Sequence, residues 1–258
     1  MRNVKYEEML PHEVVERRTK HAVAYLPLGG LEWHGEHLAL GNDALKAEKL
    51  CQLAAHKGGG IACPVLWYGE PRDVNIMETY HDKDGKIRRK MKLPASSFKQ
   101  GALGTTGEEQ MTMYKKLITH TLMQLRSLGF KAIVIVTGHY PIEEWIAPTI
   151  DEFNERNADC QAYAGIEYRF GPGGKPSAKV GGDHAAMWET SYLMYLRPEC
   201  VDMTVFRGRD PEEKLIGVLG DDPRTTASKE LGRKACRLIV DGMVSKGNEL
   251  LKKVKRRR

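Results

Sequence analysis

A chain of 258 residues, 41% of them hydrophobic, can bury one sizeable core, and it has no apolar run approaching the ~20 residues a membrane-spanning helix needs. The net charge of +6 is concentrated: residues 252–258 contribute +6 and residues 81–100 a further +5, which leaves the remainder mildly acidic and argues against a general nucleic-acid-binding surface. The five cysteines (Cys51, Cys63, Cys160, Cys200 and Cys236) include no Cys-x-x-Cys pair, and an odd number excludes a complete disulfide framework, so they read as small buried apolar residues.

The first twenty residues, with Glu7, Glu8, Glu13 and Glu16, lack the apolar core of a secretory signal, and a cytoplasmic protein is expected. Residues 22–28 then read as a strand. A helix follows from Asp43 to Lys57, with Asn42 or Asp43 at its N-cap and glycines 58–60 ending it. Residues 60–68 read as a second strand, with Pro64 demoting its first half or placing it near a sheet edge. Residues 71–100 are heavily charged and lack periodicity, so a loop or hairpin excursion is expected, with a tight turn at Asp84-Gly85.

A long helix is predicted over 107–128, its apolar stripe formed by Tyr114, Leu117, Ile118, Met123 and Leu125 and its stop by Gly129. Lys131-Ala132-Ile133-Val134-Ile135-Val136-Thr137 is a continuous apolar run of the kind found in strands buried on both faces. Further elements are a helix over 142–156, a strand over 160–168, a helix over 183–196 stopped by Pro198 and a last helix over 225–253. This alternation predicts an α/β fold. The chemistry-bearing segments run from residue 32 to residue 191, so residues 1–251 are expected as one domain, followed by a solvated basic tail at 252–258.

The chemistry lies in Glu32-Trp33-His34-Gly35-Glu36-His37 and the Asp43 that follows. On an extended backbone, residues two apart face the same side, so Glu32 and His34 converge while Trp33 turns away. Asp43 would return from the start of the next helix. Imidazole with two carboxylates suits zinc, manganese or iron better than calcium. His139 ends the buried strand at 131–137, and open parallel sheets place their ligand sites off the carboxyl ends of strands, which makes it the fourth candidate ligand. His37 is set apart: its three-residue spacing from His34 suits a helix, and the intervening Gly35 argues against one.

These residues resemble the creatininase family of metal-dependent amidohydrolases. The resemblance rests on Glu32-x-His34-Gly35-x-His37 with Asp43, on Thr137-Gly138-His139 at a strand end, and on Gly182-Asp183-His184-Ala185 followed by Glu189-Thr190-Ser191. It implies a three-layer α/β/α fold with a mainly parallel central sheet. It further implies one or two divalent ions (Zn, Mn or Fe) per subunit, with Glu32, His34, Asp43 and His139 as metal ligands. The family role for His184 is acid/base work, with Glu189 as a catalytic partner or a helix-packing residue. Asp183 and His37 would support the site, and Tyr140 would contact substrate.

The implied reaction is hydrolysis of a C–N bond in a small cyclic amide or a formamide by a metal-activated water. A homohexamer is also implied, with the 71–100 excursion able to reach a neighbouring site. Three positions depart from the pattern: Trp33 stands for the usual Gln, Thr137 for Asn, and Pro141 for the Glu that binds a second metal in creatininase proper. Two alternatives remain open. One is a hydrolase of another small metabolite, such as a sugar-derived ketone; the other is a non-catalytic binding protein that uses the basic tail to engage RNA.

Overall fold

The computed structural model describes residues 3–97 and 99–256. After α1 (Pro11–Lys20), β1 (Val23–Leu28) enters the core, with every one of its residues buried. The chain continues through α2 (Asn42–Gly58), β2 (Ile61–Ala62), α3 (Lys86–Lys90), α4 (Gly107–Ser127), β3 (Ala132–Thr137), α5 (Tyr140–Arg156) and β4 (Gln161–Gly165). It ends with α6 (Met187–Leu196), α7 (Pro223–Thr226) and α8 (Lys229–Arg256).

The four strands form an all-parallel sheet in the order β2-β1-β3-β4. Alternate residues of its two central strands enter different cores. Val23, Tyr25, Ala132, Val134 and Val136 pack with α2, α6 and α8, whereas Ala24, Leu26, Leu28, Ile133 and Ile135 pack with α4 and α5. The result is three layers, α/β/α. Burying each such aliphatic side chain contributes roughly 1.5–3 kcal/mol. Successive strands are laid outward in opposite directions from β1 and β3, so the crevice between their carboxyl ends is the topological switch point, where this class of sheet binds ligands. The strands end in register at Leu28 and Thr137.

Several expected boundaries shift. The second strand shrinks to Ile61–Ala62 at the sheet edge, because Pro64 lacks the N–H that would extend the ladder. The helix carrying Asp43 is capped at Gly41 without a side-chain hydrogen bond, so Asp43 lies within the first turn and does not serve as the cap. The described residues of 71–100 form no hairpin; Met77–His81 make one wide π-turn and Lys86–Lys90 a short helix, with Gly85 at φ 67° on its threshold. Along α4 the buried set is Gln110, Tyr114, Ile118, Leu122 and Leu125, while Met123 faces solvent.

The helix expected from residue 183 starts at Met187, so Asp183 and His184 sit ahead of it. Residues 252–256, expected in a solvated tail, continue α8, and Val254 is buried; the remainder of that tail lies outside the described residues. No helix among the described residues is long and apolar enough to cross a membrane.

Candidate metal centre

Four segments deliver polar side chains to the crevice. The loop after β1 brings Glu32 and His34, the first turn of α2 brings Asp43, the second residue after β3 is His139, and α6 brings Glu189; all five are buried. The fit between α2 and β3 depends on Gly138, where a Cβ would fall 2.0 Å from the backbone oxygen of Asp43. A side chain at 138 would push the aspartate off the site. Gly29, after β1, makes room in the same way for the backbone of Ala44.

Two overlapping donor sets share Asp43, and a third joins Glu32, His34 and His184. In the first, His139 Nδ1 lies 2.8 Å from Glu32 Oε1 and 3.2 Å from Asp43 Oδ2. In the second, His34 Nε2 lies 3.0 Å from Asp43 Oδ1 and 3.5 Å from Glu189 Oε2. The His34 ring donates its Nδ1–H to the backbone carbonyl of Glu32 at 3.1 Å, which leaves the Nε2 lone pair facing the carboxylates. His34 Nε2 and Asp43 Oδ2 are buried without a hydrogen-bond partner. Buried polar atoms are normally satisfied, so this convergence fits a cation.

Electrostatics point the same way. Burial opposes protonation of His34 and His139, yet the carboxylates overcome it and push both up to about 10: Asp43 and Glu189 act on the first, Glu32 and Asp43 on the second. Burial likewise opposes ionisation of Asp43, but His34 and His139 hold its carboxyl well below the usual range. Protons on the two imidazoles thus balance the carboxylates where a divalent ion would do so instead.

His184 stacks on His34 with ring centroids 4.3 Å apart, and its Nδ1 lies 3.8 Å from Glu32 Oε1. Its Nε2–H donates to the Trp33 carbonyl at 2.8 Å, fixing the tautomer with a free lone pair on Nδ1. Burial, then the neighbouring His34, lowers its pKa, so the ring is neutral near pH 7. The next residue, Ala185, holds φ 53°, and its N–H donates to Glu189 Oε2 at 2.8 Å. This left-handed backbone lets His184 and Glu189 reach one cluster from opposite sides of a turn.

The structure gives other expected residues different partners. Asp183 does not contact His184; its carboxylate accepts from the N–H groups of Trp188 and Glu189 at 2.7 and 3.1 Å and so anchors the first turn of α6. The Trp33 carbonyl orients His184 instead. His37 meets Thr190 Oγ1 at 2.9 Å and the Phe206 ring at 5.0 Å, outside both donor sets. Tyr140 opens α5 beside His139 with a buried hydroxyl that has no partner. Pro141, in that same first turn, costs the helix no hydrogen bond and offers no donor.

Three residues escaped the sequence reading. Lys46 is fully buried one turn after Asp43, hydrogen-bonded to Glu189 Oε1, 3.3 Å from Glu167 Oε1 and 3.8 Å from Asp43 Oδ1. Its i+3 spacing from Asp43 was the available signal, whereas Glu167, from the segment after β4, left none. Glu78 is buried in the π-turn, and burial pushes its carboxyl up to about 7 despite Arg72, whose Nη2 lies 3.7 Å away. The preceding residue, Met77, donates its N–H to Glu32 Oε2 at 2.9 Å, so this turn covers the cluster. A cavity of about 260 Å³ opens between residues 77–87 and 214–219, and Leu219 exchanges two backbone hydrogen bonds with His184.

The family model described as creatinine amidohydrolase matches residues 7–77 and 95–246, leaving out most of the charged excursion. Creatinine amidohydrolase of Pseudomonas putida is 26% identical over 194 residues, which cover 70% of this chain and 66% of that protein. A crystal structure of creatinine amidohydrolase superposes with a TM-score of 0.67 at 21% identity, over 97% of this chain and 99% of the other. A mutant creatininase of Zn-Zn type reaches 0.68 at 21% identity and a manganese form 0.67 at 20%, each over 96% of this chain and 98% of theirs. The chain therefore belongs to the creatininase family, as a divergent member.

Proposed function

We propose that this protein is a metal-dependent hydrolase of a C–N bond in a small cyclic amide or a formamide, with residues 1–251 acting as one catalytic unit. The observation that carries this reading is the pair of donor sets built on Asp43, with His34 Nε2 and Asp43 Oδ2 buried and unpartnered. Glu32, Asp43 and His139 would hold one divalent ion, and His34, Asp43 and Glu189 are placed for a second, with Glu189 supplying the carboxylate that Pro141 cannot. A bound divalent ion supplies Lewis acidity and lowers the pKa of a coordinated water to about 7.

The chain's own residues do the rest. His184 Nδ1, neutral and unprotonated, faces Glu32 at the most open side of the cluster, where it can take a proton from the attacking water and pass it to the departing nitrogen. The Trp33 carbonyl keeps the ring in the tautomer this transfer requires. Tyr140, whose buried hydroxyl has no partner among the described residues, would donate to the substrate, and the Met77–His81 turn would exclude bulk water above the ligands. A mutant creatininase of the same fold, 20% identical, is complexed with creatine, the ring-opened form of creatinine, which motivates small cyclic amides as first substrates.

The test is metal content per chain after purification without chelators, together with ring opening of creatinine and hydantoins to the corresponding carboxylates and release of formate from N-formyl amides. Bound Zn, Mn or Fe and a chelator-sensitive C–N hydrolysis are expected. Absence of all three metals, with no hydrolysis restored by adding them, defeats the proposal. A cytoplasmic homohexamer belongs to the same reading, and a sedimentation velocity profile showing only monomer would remove the oligomer from it.

A further inference from the structure

Lys46 has no part in the function proposed above, yet it is the one buried lysine among the described residues. It is wholly buried on the α2 face that carries Asp43, and a buried ammonium is retained only where anions compensate its desolvation. Three carboxylates do so. Glu189 Oε1 accepts its hydrogen bond, Glu167 Oε1 lies 3.3 Å away and Asp43 Oδ1 3.8 Å away.

Two of these three, Asp43 and Glu189, belong to the donor set completed by His34, whereas of the set completed by His139 only the shared Asp43 lies near Lys46, through its other oxygen. Carboxylate oxygens of Glu189, Glu167 and Asp43 all lie within 4 Å of its Nζ and compensate the buried ammonium.

We propose that the Lys46 ammonium serves as the resident second cation of the centre. One divalent ion is held tightly by Glu32, Asp43 and His139, while the His34, Asp43 and Glu189 set, already half neutralised by Lys46, takes a second ion only weakly. A fixed charge within 4 Å of the shared aspartate repels an incoming dication, and Glu189 gives one of its two oxygens to the lysine. Glu167 tunes the effect by sharing the ammonium. Its Oε2 is buried, and no group among the described residues engages that oxygen.

This inference rests on the metal reading above, and its test separates the two. Zinc is titrated by calorimetry into the metal-stripped, full-length protein and into K46M and E167Q. The unaltered chain is expected to bind one tight equivalent and a second at least about tenfold weaker. K46M, similar in volume and uncharged, should tighten the second equivalent about tenfold or more and leave the first within about threefold. E167Q, which removes a carboxylate shared by the lysine, should weaken the second further.

A substitution that merely loosens the fold weakens both ions together and cannot move the second in opposite directions. Two equivalents of like affinity in the unaltered chain overturn the inference, as does a second equivalent that K46M leaves unchanged or weakens. Should K46M fail to fold, an unchanged or tightened second equivalent in E167Q does the same. An unaltered chain that binds no zinc at all defeats the metal reading instead.

Discussion

The two halves of the buried cluster are built from similar donors and differ in what stands behind them. Glu32, Asp43 and His139 come from the ends of two adjacent parallel strands and the first turn of a helix, and their charges are answered chiefly by one another. His34, Asp43 and Glu189 lean instead on a lysine and a further glutamate that the helices hold in the core. The strand-end half takes its geometry from the sheet. The helix half takes its geometry and part of its charge balance from tertiary packing, so the two should differ in affinity for the same ion.

The sharpest way to break this comparison is to remove what both halves share. D43N should cost both ions, with metal content near zero by elemental analysis and hydrolysis down by more than about 100-fold. Retention of either ion would show that Asp43 does not bridge. H139A and E189Q should then separate the halves: the first loses the tight equivalent, while the second keeps it and loses only the weak one. A metal content that falls equally in both would erase the distinction drawn here.

H184A is expected to leave metal content unchanged and lower kcat by about 10²–10⁴-fold, because it removes a proton carrier rather than a ligand. Loss of metal in this variant would make the set of Glu32, His34 and His184 a binding set. The pH dependence of metal retention follows from His34 and His139, whose protonated forms the carboxylates favour up to about 10. Metal must displace those protons, so affinity should rise with pH between 6 and 9 and protons should be released on binding. Calorimetry in buffers of different ionisation enthalpy reads the proton count, and a count of zero would contradict the geometry.

The smallest effect concerns Glu36, in the motif loop but outside both donor sets. Arg209 and Lys90 hold its carboxyl down to about 2. A carboxyl lowered on folding contributes stability above its unfolded value of about 4.5 and loses that stability as pH falls toward 2. The pair is partly solvated, so E36Q should cost no more than about 1 kcal/mol at pH 7, and the difference from the unaltered chain should vanish near pH 2. Thermal melts across that range read it, and Lys90 joins the comparison because it anchors the charged excursion to the motif loop.

Much of this was written in local sequence. The runs at 22–28 and 131–137 are apolar without alternation, which marks strands covered on both faces, and residues next to the ends of such strands are where a parallel sheet gathers its ligands. Glu32, His34, Asp43 and His139 were legible for that reason, although the structure divides them, with His34 and His139 in separate donor sets. The partners of the third motif were not. Asp183 anchors a helix instead of orienting His184 because α6 begins at Met187, and a helix start depends on which backbone groups find partners across the chain.

What the sequence alone determined, then, is the α/β alternation, the buried strands and the donors fixed to their ends, since hydrophobic period and residue spacing act over a few residues. What only the tertiary structure decided is the second half of the centre: Glu189 reaching His34, Glu167 reaching Lys46, and the turn at 77–81 closing over Glu32. Lys46 and Glu167 are 121 residues apart along the chain, so no local pattern couples them. Their pairing exists because removing an ammonium from water is tolerable only where the fold surrounds it with carboxylates.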